Sequence, residues 1–190
     1  MKDLIFKYRG LLWGLFALAV FLFPVSWSIA RTACAVPLLI GGQALRFWAA
    51  GVIPKYRTLV IGAPELVTWG PYAWVRNPLY AGNALIGLGW ALMVGWPWVP
   101  AFLLAYFAIY ALVIIPAEEG FLRGEFGDAY LEYRRTTPSM VPRLSAVRER
   151  LRRSRAGFDA KKSWFMERHS LRMNLVVTAL VLLRLLYFGD

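Results

Sequence analysis

The sequence has very little cysteine and histidine, and these shortages exclude several kinds of site. Cys34 is the only cysteine among 190 residues, which excludes a disulfide framework and a cysteine metal site. His169 is the only histidine, so neither a histidine metal site nor a Ser-His-Asp triad is expected. The chain also has no internal repeat and no low-complexity linker. We therefore predict no metal site and a single domain over residues 1–190.

Acidic residues are also scarce, whereas apolar residues dominate. The chain has 11 Asp and Glu against 22 Lys and Arg, which gives a formal net charge of +11, and 59% of its residues are hydrophobic. Soluble domains are nearer half apolar, so the composition predicts an integral membrane protein. We expect the basic excess to contact anionic lipids and not nucleic acid, because the sequence offers no soluble domain that could dock a duplex.

Five stretches approach the length of about 20 apolar residues that spans a bilayer. The predicted fold is therefore an all-α integral membrane protein with about five transmembrane helices. The first stretch resembles a signal peptide but is long for one, and we interpret it as a retained helix. The five stretches are Leu11 to Ala30, Ala33 to Ile53, Leu79 to Gly95, Trp98 to Ala117, and Leu171 to Phe188.

Lysine and arginine are concentrated on one side of these spans. Only Arg31 lies between the first two spans, and the turn at 95–100 has no charge. By the positive-inside rule, the N-terminus and the segment between the fourth and fifth spans are cytoplasmic. The second half of that segment, a basic linker at 145–168, is typical of an amphipathic helix at the membrane surface. The last transmembrane helix follows at 171–188.

The stretch from Gly70 to Met93 has a polar entrance to an apolar helix. Asn77 is a good N-cap, and Pro78 suits the first helical position because its missing N–H costs nothing there. Arg76 and Tyr80 flank the positive end of this helix, which makes the region a candidate site for an anionic group.

Gly87 and Gly89 lie further along the same span. Close helix packing is the first interpretation, and approach of a ligand to bare backbone is the second. A dinucleotide-binding fingerprint is excluded, because no strand precedes these glycines and no third glycine follows.

Two adjacent carboxylates, Glu118 and Glu119, follow the fourth span directly. They can accept hydrogen bonds from ribose hydroxyls or balance a bound cation, and the alternative is that they only end the helix in water. Acidic residues at a helix C-terminus interact unfavourably with the helix macrodipole, so a functional role for Glu118 and Glu119 is favoured over a purely structural one. An intrahelical pair of Glu119 with Arg123 is the competing structural explanation.

Three further residues are candidates for the functional site. Tyr130 and Arg134 share a helix face at a spacing of four, and together they suit a nucleoside with a carboxylate or phosphate tail, or equally a lipid headgroup. Arg46 lies inside the second span, where an arginine is costly. We therefore expect it to have a function, with Glu118 or Glu119 as its partner, and snorkelling to water is the alternative.

Two motifs carry a family resemblance. The stretch from Gly70 reads Gly-Pro-Tyr-x-x-x-Arg-Asn-Pro-x-Tyr-x-Gly, and the stretch from Glu118 reads Glu-Glu-x-x-Leu-x-x-x-Phe-Gly-x-x-Tyr-x-x-Tyr. In this order and spacing they resemble the isoprenylcysteine carboxyl methyltransferase family and the related phospholipid methyltransferases, over a core region at 46–143. At the position of Asn77 these families most often have histidine. The asparagine side chain can form hydrogen bonds there, but it cannot act as a base.

The resemblance implies an integral membrane methyltransferase with S-adenosyl-L-methionine as cofactor and a cytoplasmic active site, in the inner membrane if the source is bacterial. A cofactor-binding segment is expected between the fourth and fifth spans. The implied catalytic residues are Arg46 and Glu119. The implied cofactor-binding residues are Arg76, Asn77, Pro78, Tyr80, Gly87, Gly89, Glu118, Glu119, Tyr130 and Arg134.

Methyl transfer is an in-line displacement that depends on positioning more than on bases, which agrees with the residues present. The expected acceptor is lipophilic: an isoprenylcysteine-like carboxylate, a phospholipid amine or another small hydrophobic nucleophile. Two alternatives are an NADPH-dependent membrane sterol or steroid reductase, whose family has a similar motif, and a non-catalytic membrane protein.

Overall fold

The structure is a computed structural model that describes residues 18–20, 22–23, 25–54, 64–143, 149–150, 152 and 157–188. All regular elements in these residues are helical, and no strand occurs among them. The elements are α1 (Ile29–Val52), a 3-10 turn (Gly70–Ala73), α2 (Pro78–Val94), α3 (Trp98–Tyr106), a π-helical segment (Phe107–Ile114), α4 (Ile115–Thr136) and α5 (Ala160–Phe188).

Three helical stretches are long and apolar enough to cross a bilayer. They are Ile29–Val52 with 24 residues, Trp98–Thr136 with 39 and Ala160–Tyr187 with 28. Helix α2 is also apolar but has only 17 residues. These helices agree with an all-helical integral membrane protein. Residues 11–17, 21 and 24 of the first predicted span, at 11–30, lie outside the described residues, so the number of five transmembrane helices stays a prediction.

Helix α2 begins at Pro78, as the sequence predicts. The backbone carbonyl of Asn77 accepts a hydrogen bond from the amide of Ala81 at 2.9 Å, which is the first bond of the helix. Asn77 therefore occupies the N-cap position, and Pro78 occupies the first helical position, where a missing N–H is tolerated.

The predicted end of the fourth span at Ala117 is wrong as a helix end. Helix α3, the π-helical segment and α4 form one helical stretch, Trp98–Thr136. Glu118 and Glu119 therefore lie inside a helix, and the argument from the macrodipole at a helix C-terminus does not apply to them. The stretch bends at Gly127, whose φ of 50° and ψ of −125° suit glycine. The helical stretch therefore has a kink at Gly127.

Helix α5 begins at Ala160, before the predicted start of the last span at Leu171. Asp159 explains this start, because its Oδ1 accepts a hydrogen bond from the amide of Lys162 at 3.0 Å and so caps the first turn. Residues 160–168 of the predicted basic linker are therefore helical. Most of the linker before them, at 145–156, lies outside the described residues.

The chain divides into two compact units. The first comprises Met1–Gly41, Ala84–Ala117 and Leu171–Asp190, and the second comprises Gly42–Asn83 and Glu118–Ser170. The first unit has an apolar core, in which Trp90 Nε1 donates a hydrogen bond to Thr178 Oγ1 at 3.0 Å. That core contains Val20, Val25, Ala35, Met93, Val94, Val181 and Leu185. The second unit contains most of the candidate polar residues.

Candidate functional site

Glu119 in α4 accepts hydrogen bonds from two side chains that precede α2. Arg76 donates from Nε and Nη2 to Glu119 Oε1 at 3.0 and 2.8 Å, and Asn77 Nδ2 donates to the same oxygen at 3.3 Å. Arg134 Nε lies 3.7 Å from Glu119 Oε2. The paired side chains of Arg76 and Glu119 are 11% and 13% exposed, so water and salt screen them weakly. We call Arg76, Asn77, Glu119 and Arg134 the Glu119 cluster.

Backbone hydrogen bonds hold Arg76 and Asn77 against the chain that follows α4. The amide of Arg76 donates to the carbonyl of Pro138 at 2.8 Å, and that of Asn77 donates to Ser139 at 2.9 Å. Asn77 Nδ2 also donates to Ser139 Oγ at 3.0 Å. Arg76 Nη1 donates to the carbonyl oxygens of Arg134 and Thr137, so it also satisfies groups at the C-terminal end of α4.

A second carboxylate contact joins the same two helices. Tyr80 in α2 donates from its hydroxyl to Glu118 Oε1 in α4 at 2.5 Å. Tyr80 is buried, whereas Glu118 is partly accessible. A carboxylate can accept about four hydrogen bonds, and the described residues supply this one to Glu118. Its second oxygen can therefore accept a bond from a ligand.

The side chain of Tyr130 is buried, and its hydroxyl lies next to the Glu119 cluster. Its side chain is 1% exposed and packs edge-on against Tyr133, with ring centroids 6.3 Å apart. Among the residues that the structure describes, no side chain makes a hydrogen bond of normal geometry to the Tyr130 hydroxyl, although Glu119 and Arg76 lie beside it. Buried polar groups normally have partners, so this one is suited to receive a ligand atom.

Other side chains fix the 3-10 turn that leads to Arg76. Tyr133 donates from its hydroxyl to the carbonyl of Tyr72 at 2.8 Å. Arg150 donates from Nη1 to the carbonyl of Ala73 at 2.6 Å and from Nη2 to that of Thr136 at 3.1 Å. The turn before α2 is thus tied to the end of α4 by two side chains. Sequence reasoning missed Arg150, because it placed this residue in a surface linker.

Arg46 lies in a different polar group of the second unit. Its Nε and Nη2 donate to Glu167 Oε2 and Oε1, both at 2.9 Å, and its Nη1 donates to Asn83 Oδ1 at 2.5 Å. Arg46 is 6% exposed and Glu167 is 4% exposed. The predicted partner, Glu118 or Glu119, is therefore wrong. The physical reason is that α5 begins at Ala160 and carries Glu167 to Arg46, whereas the sequence placed Glu167 in the linker.

Glu167 and Asn83 are the functional candidates that sequence reasoning missed. One signal could have found Glu167: it is the only acidic residue between Asp159 and Asp190. A single acid in a basic stretch is a natural partner for a buried arginine, because an unpaired buried charge is costly.

Gly87 and Gly89 lie in the first unit, whereas the Glu119 cluster lies in the second. A Cβ at Gly87 would lie 2.2 Å from ring atoms of Phe102, and one at Gly89 would lie 2.9 Å from Leu39 Cδ2. These contacts support the helix-packing interpretation. Pro78 is fully buried at the start of α2. Binding of cofactor by these three residues stays a prediction, as it does for the polar residues.

Comparisons with known proteins agree with the resemblance seen in the motifs. The S. pombe protein-S-isoprenylcysteine O-methyltransferase is 37% identical over 134 residues, which cover 64% of this chain and 53% of that protein. The cobalt-zinc-cadmium resistance protein CzcN of Cupriavidus metallidurans is 42% identical over 83 residues, which cover 44% of this chain and 38% of that protein.

The nickel-cobalt-cadmium resistance protein NccN of Alcaligenes xylosoxydans xylosoxydans is 35% identical over 105 residues, which cover 54% of this chain and 46% of that protein. The chain thus spans about half or less of the length of these relatives. No solved structure matches it. The family described as phospholipid methyltransferase matches residues 30–129, which include Arg46, Arg76 and Glu119. This match covers more than half of the chain, and the chain belongs to the phospholipid methyltransferase family.

Proposed function

We propose that this protein is an integral membrane methyltransferase that uses S-adenosylmethionine to methylate a lipophilic acceptor. The observation that carries the proposal is the Glu119 cluster, in which α4 and the entrance to α2 bring two guanidinium groups to one carboxylate. Family membership supports the reaction type. The name of the S. pombe relative and that of the family specify two acceptor classes, an isoprenylcysteine oxygen and a phospholipid, and both are candidates here.

The residues fit S-adenosylmethionine by their hydrogen-bonding chemistry. This molecule has an ammonium group, a carboxylate, ribose hydroxyls and a sulfonium, so its site needs acceptors as well as donors. Glu118 and Oε2 of Glu119 can accept bonds from ammonium or hydroxyl groups. Arg134, whose side chain is 54% exposed, can donate to a carboxylate. The buried hydroxyl of Tyr130, which makes no hydrogen bond of normal geometry with the described residues, would provide a further contact inside the site.

The chain's own residues would position the reactants. When bound, S-adenosylmethionine supplies a methyl group on a sulfonium, which the acceptor displaces in line. Arg76 and Asn77 fix the orientation of Glu119, and Tyr80 fixes that of Glu118, so two carboxylates are held before any ligand arrives. Such preorganisation lowers the cost of holding donor and acceptor in line. Asn77 acts through its amide and not as a base.

We place this site at the cytoplasmic face. The positive-inside rule supports this orientation, because the basic residues gather on the side of the N-terminus and of the chain after α4. The same residues would contact anionic lipid headgroups. A lipophilic acceptor would then approach from the bilayer, and the cofactor would approach from water.

Calorimetric titration of the purified protein with S-adenosylhomocysteine and with NADPH tests the proposal. We expect S-adenosylhomocysteine to bind and NADPH not to bind. In Glu119→Ala the affinity should fall by about 10-fold to 100-fold, because hydrogen bonds to a charged group contribute about 1.5–3 kcal/mol. The control is Glu132→Ala, which removes an exposed carboxylate of the same helix that pairs with Arg135.

The outcomes separate the candidate functions. Binding of NADPH alone would favour a reductase, and binding of neither would favour a non-catalytic protein. Wild-type affinity in a folded Glu119→Ala variant would refute the role of Glu119. Methyl transfer to a farnesylcysteine analogue and to phosphatidylethanolamine, assayed separately, then identifies the acceptor class.

A further inference from the structure

The ion pair between Arg46 and Glu167 fixes the orientation of a guanidinium group. Glu167 accepts from Nε and Nη2, which is the side edge of the guanidinium, in a bidentate arrangement at 2.9 Å for each bond. Asn83 accepts from Nη1. Arginine has five N–H donors, so these three bonds leave one N–H on Nη1 and one on Nη2 that no described residue is seen to occupy. The terminal edge of Arg46 can therefore bind a further acceptor.

Helix α2 brings this pair close to the carboxylates of α4. Asn83, which contacts Arg46, follows Tyr80 by three residues on α2, and Tyr80 contacts Glu118. Side chains three residues apart on a helix have Cβ atoms about 5–6 Å apart. Gly82 lies beside them, and a Cβ there would be 2.6 Å from Arg46 Cγ. The stem of Arg46 thus packs on the bare backbone of α2, about one turn from the Glu118 contact.

Helix α5 is held in register with α1 by contacts that precede Glu167. The amide of Asp159 donates to the carbonyl of Gly51 at 3.0 Å. Ser163, which is fully buried, donates from its hydroxyl to the carbonyl of Phe47. Asp159, Ser163 and Glu167 are spaced by four residues, so they lie on one face of α5. This face carries Glu167 to Arg46.

The chemistry of the pair favours a role beyond stability. Replacement of a buried ion pair by apolar residues of similar volume is often neutral or stabilising, so stability alone explains such a pair poorly. Glu167 also lies outside residues 30–129, the region matched by the family. The last helix of this chain thus adds a carboxylate to an arginine that lies within the matched region.

We propose that Glu167 is a positioning residue, which orients the terminal edge of Arg46 toward the methyl acceptor, so that α5 completes the transfer site. This inference rests on the proposed methyltransferase function. It assigns α5 a part in acceptor binding, whereas the Glu119 cluster holds the cofactor. Loss of Glu167 should therefore affect the acceptor and leave cofactor affinity intact.

The test compares Glu167→Gln, Glu167→Asp and the control Glu132→Gln in the full-length protein. Methyl transfer is measured at varied acceptor concentration, and S-adenosylhomocysteine affinity is measured by calorimetry. For Glu167→Gln we expect kcat/KM for the acceptor to fall by about 10-fold to 100-fold, because a misplaced group at a reacting centre slows the reaction by about this much. Cofactor affinity should stay within about twofold of the wild type. Glu167→Asp should recover part of the loss, and Glu132→Gln should match the wild type.

A double variant keeps the proposal testable if single variants fold poorly. Arg46→Met with Glu167→Leu replaces the pair by apolar side chains, and it should fold and bind S-adenosylhomocysteine but transfer no methyl group. Full acceptor kcat/KM in Glu167→Gln, or full activity in the double variant, would overturn the positioning role while the proposed function stands. A wild-type protein that does not bind S-adenosylhomocysteine would overturn the proposed function, and the role of Glu167 with it.

Discussion

Glu119 and Tyr130 differ in how completely the protein satisfies their polar groups. Glu119 Oε1 accepts bonds from Arg76 and Asn77, so its position is fixed by the protein alone. The Tyr130 hydroxyl is buried beside Glu119 and Arg76 but makes no hydrogen bond of normal geometry with the described residues. A buried group of this kind lowers the stability of the ligand-free protein by about 1–3 kcal/mol, which a ligand bond would recover. The two residues therefore make different predictions on substitution.

The substitution Tyr130→Phe should separate binding from stability. It removes only the hydroxyl, so the thermal midpoint without ligand should stay equal or rise slightly. Affinity for S-adenosylhomocysteine should fall by about fivefold, because one neutral hydrogen bond contributes about 1 kcal/mol. Thermal unfolding in detergent and calorimetry measure the two effects. A lower midpoint with unchanged affinity would show that the hydroxyl stabilises the fold and does not contact the cofactor.

At the scale of elements, the end of an apolar run does not coincide with the end of the helix that contains it. The start of α2 is predictable because Asn77 and Pro78 carry specific capping chemistry. The apolar run ends at Ala117, yet the helical stretch continues to Thr136 with a kink at Gly127, since the Glu, Leu and Arg residues that follow Ala117 are good helix formers. The start of α5 was missed in the same way, because its first turns are polar.

Gly82 in α2 provides a test of the packing between helices. A Cβ there would lie 2.6 Å from Arg46 Cγ and 2.7 Å from the carbonyl oxygen of Gly42. Because the backbone oxygen cannot move freely, Gly82→Ala should destabilise the protein by about 1–3 kcal/mol. The matched control is Gly124→Ala in α4, where a Cβ would meet nothing within 4 Å. It should be neutral or stabilise the helix by about 0.5–1 kcal/mol.

Denaturant unfolding in mixed micelles, followed by circular dichroism, measures both glycine variants. The clash also involves the stem of Arg46, so acceptor turnover should fall in Gly82→Ala and not in Gly124→Ala. Equal stability of the two variants would contradict the close approach of α1 and α2 at Gly82.

For the whole molecule, motif order predicted which distant segments meet, but it did not predict every partner. Arg76 and Glu119 are far apart in sequence, and their contact agrees with the shared function that the motifs suggested. The partner of Arg46 was not predictable in the same way, because Glu167 lies outside both motifs and reaches Arg46 only through the length of α5. Contacts made by a helix beyond the recognised motifs depend on tertiary packing, which local patterns do not encode.

Cysteine labelling can test the orientation of the chain in the membrane. In a Cys34→Ser background, a cysteine is placed either at Trp96, which is 63% exposed, or at Val141, which is 77% exposed. By the positive-inside rule, Trp96→Cys should react with a membrane-impermeant maleimide in intact cells, and Val141→Cys only after the membrane is opened. The reversed result would place the Glu119 cluster outside. Labelling of both cysteines in intact cells would contradict a membrane-crossing helix over Trp98–Thr136, because that helix separates the two positions.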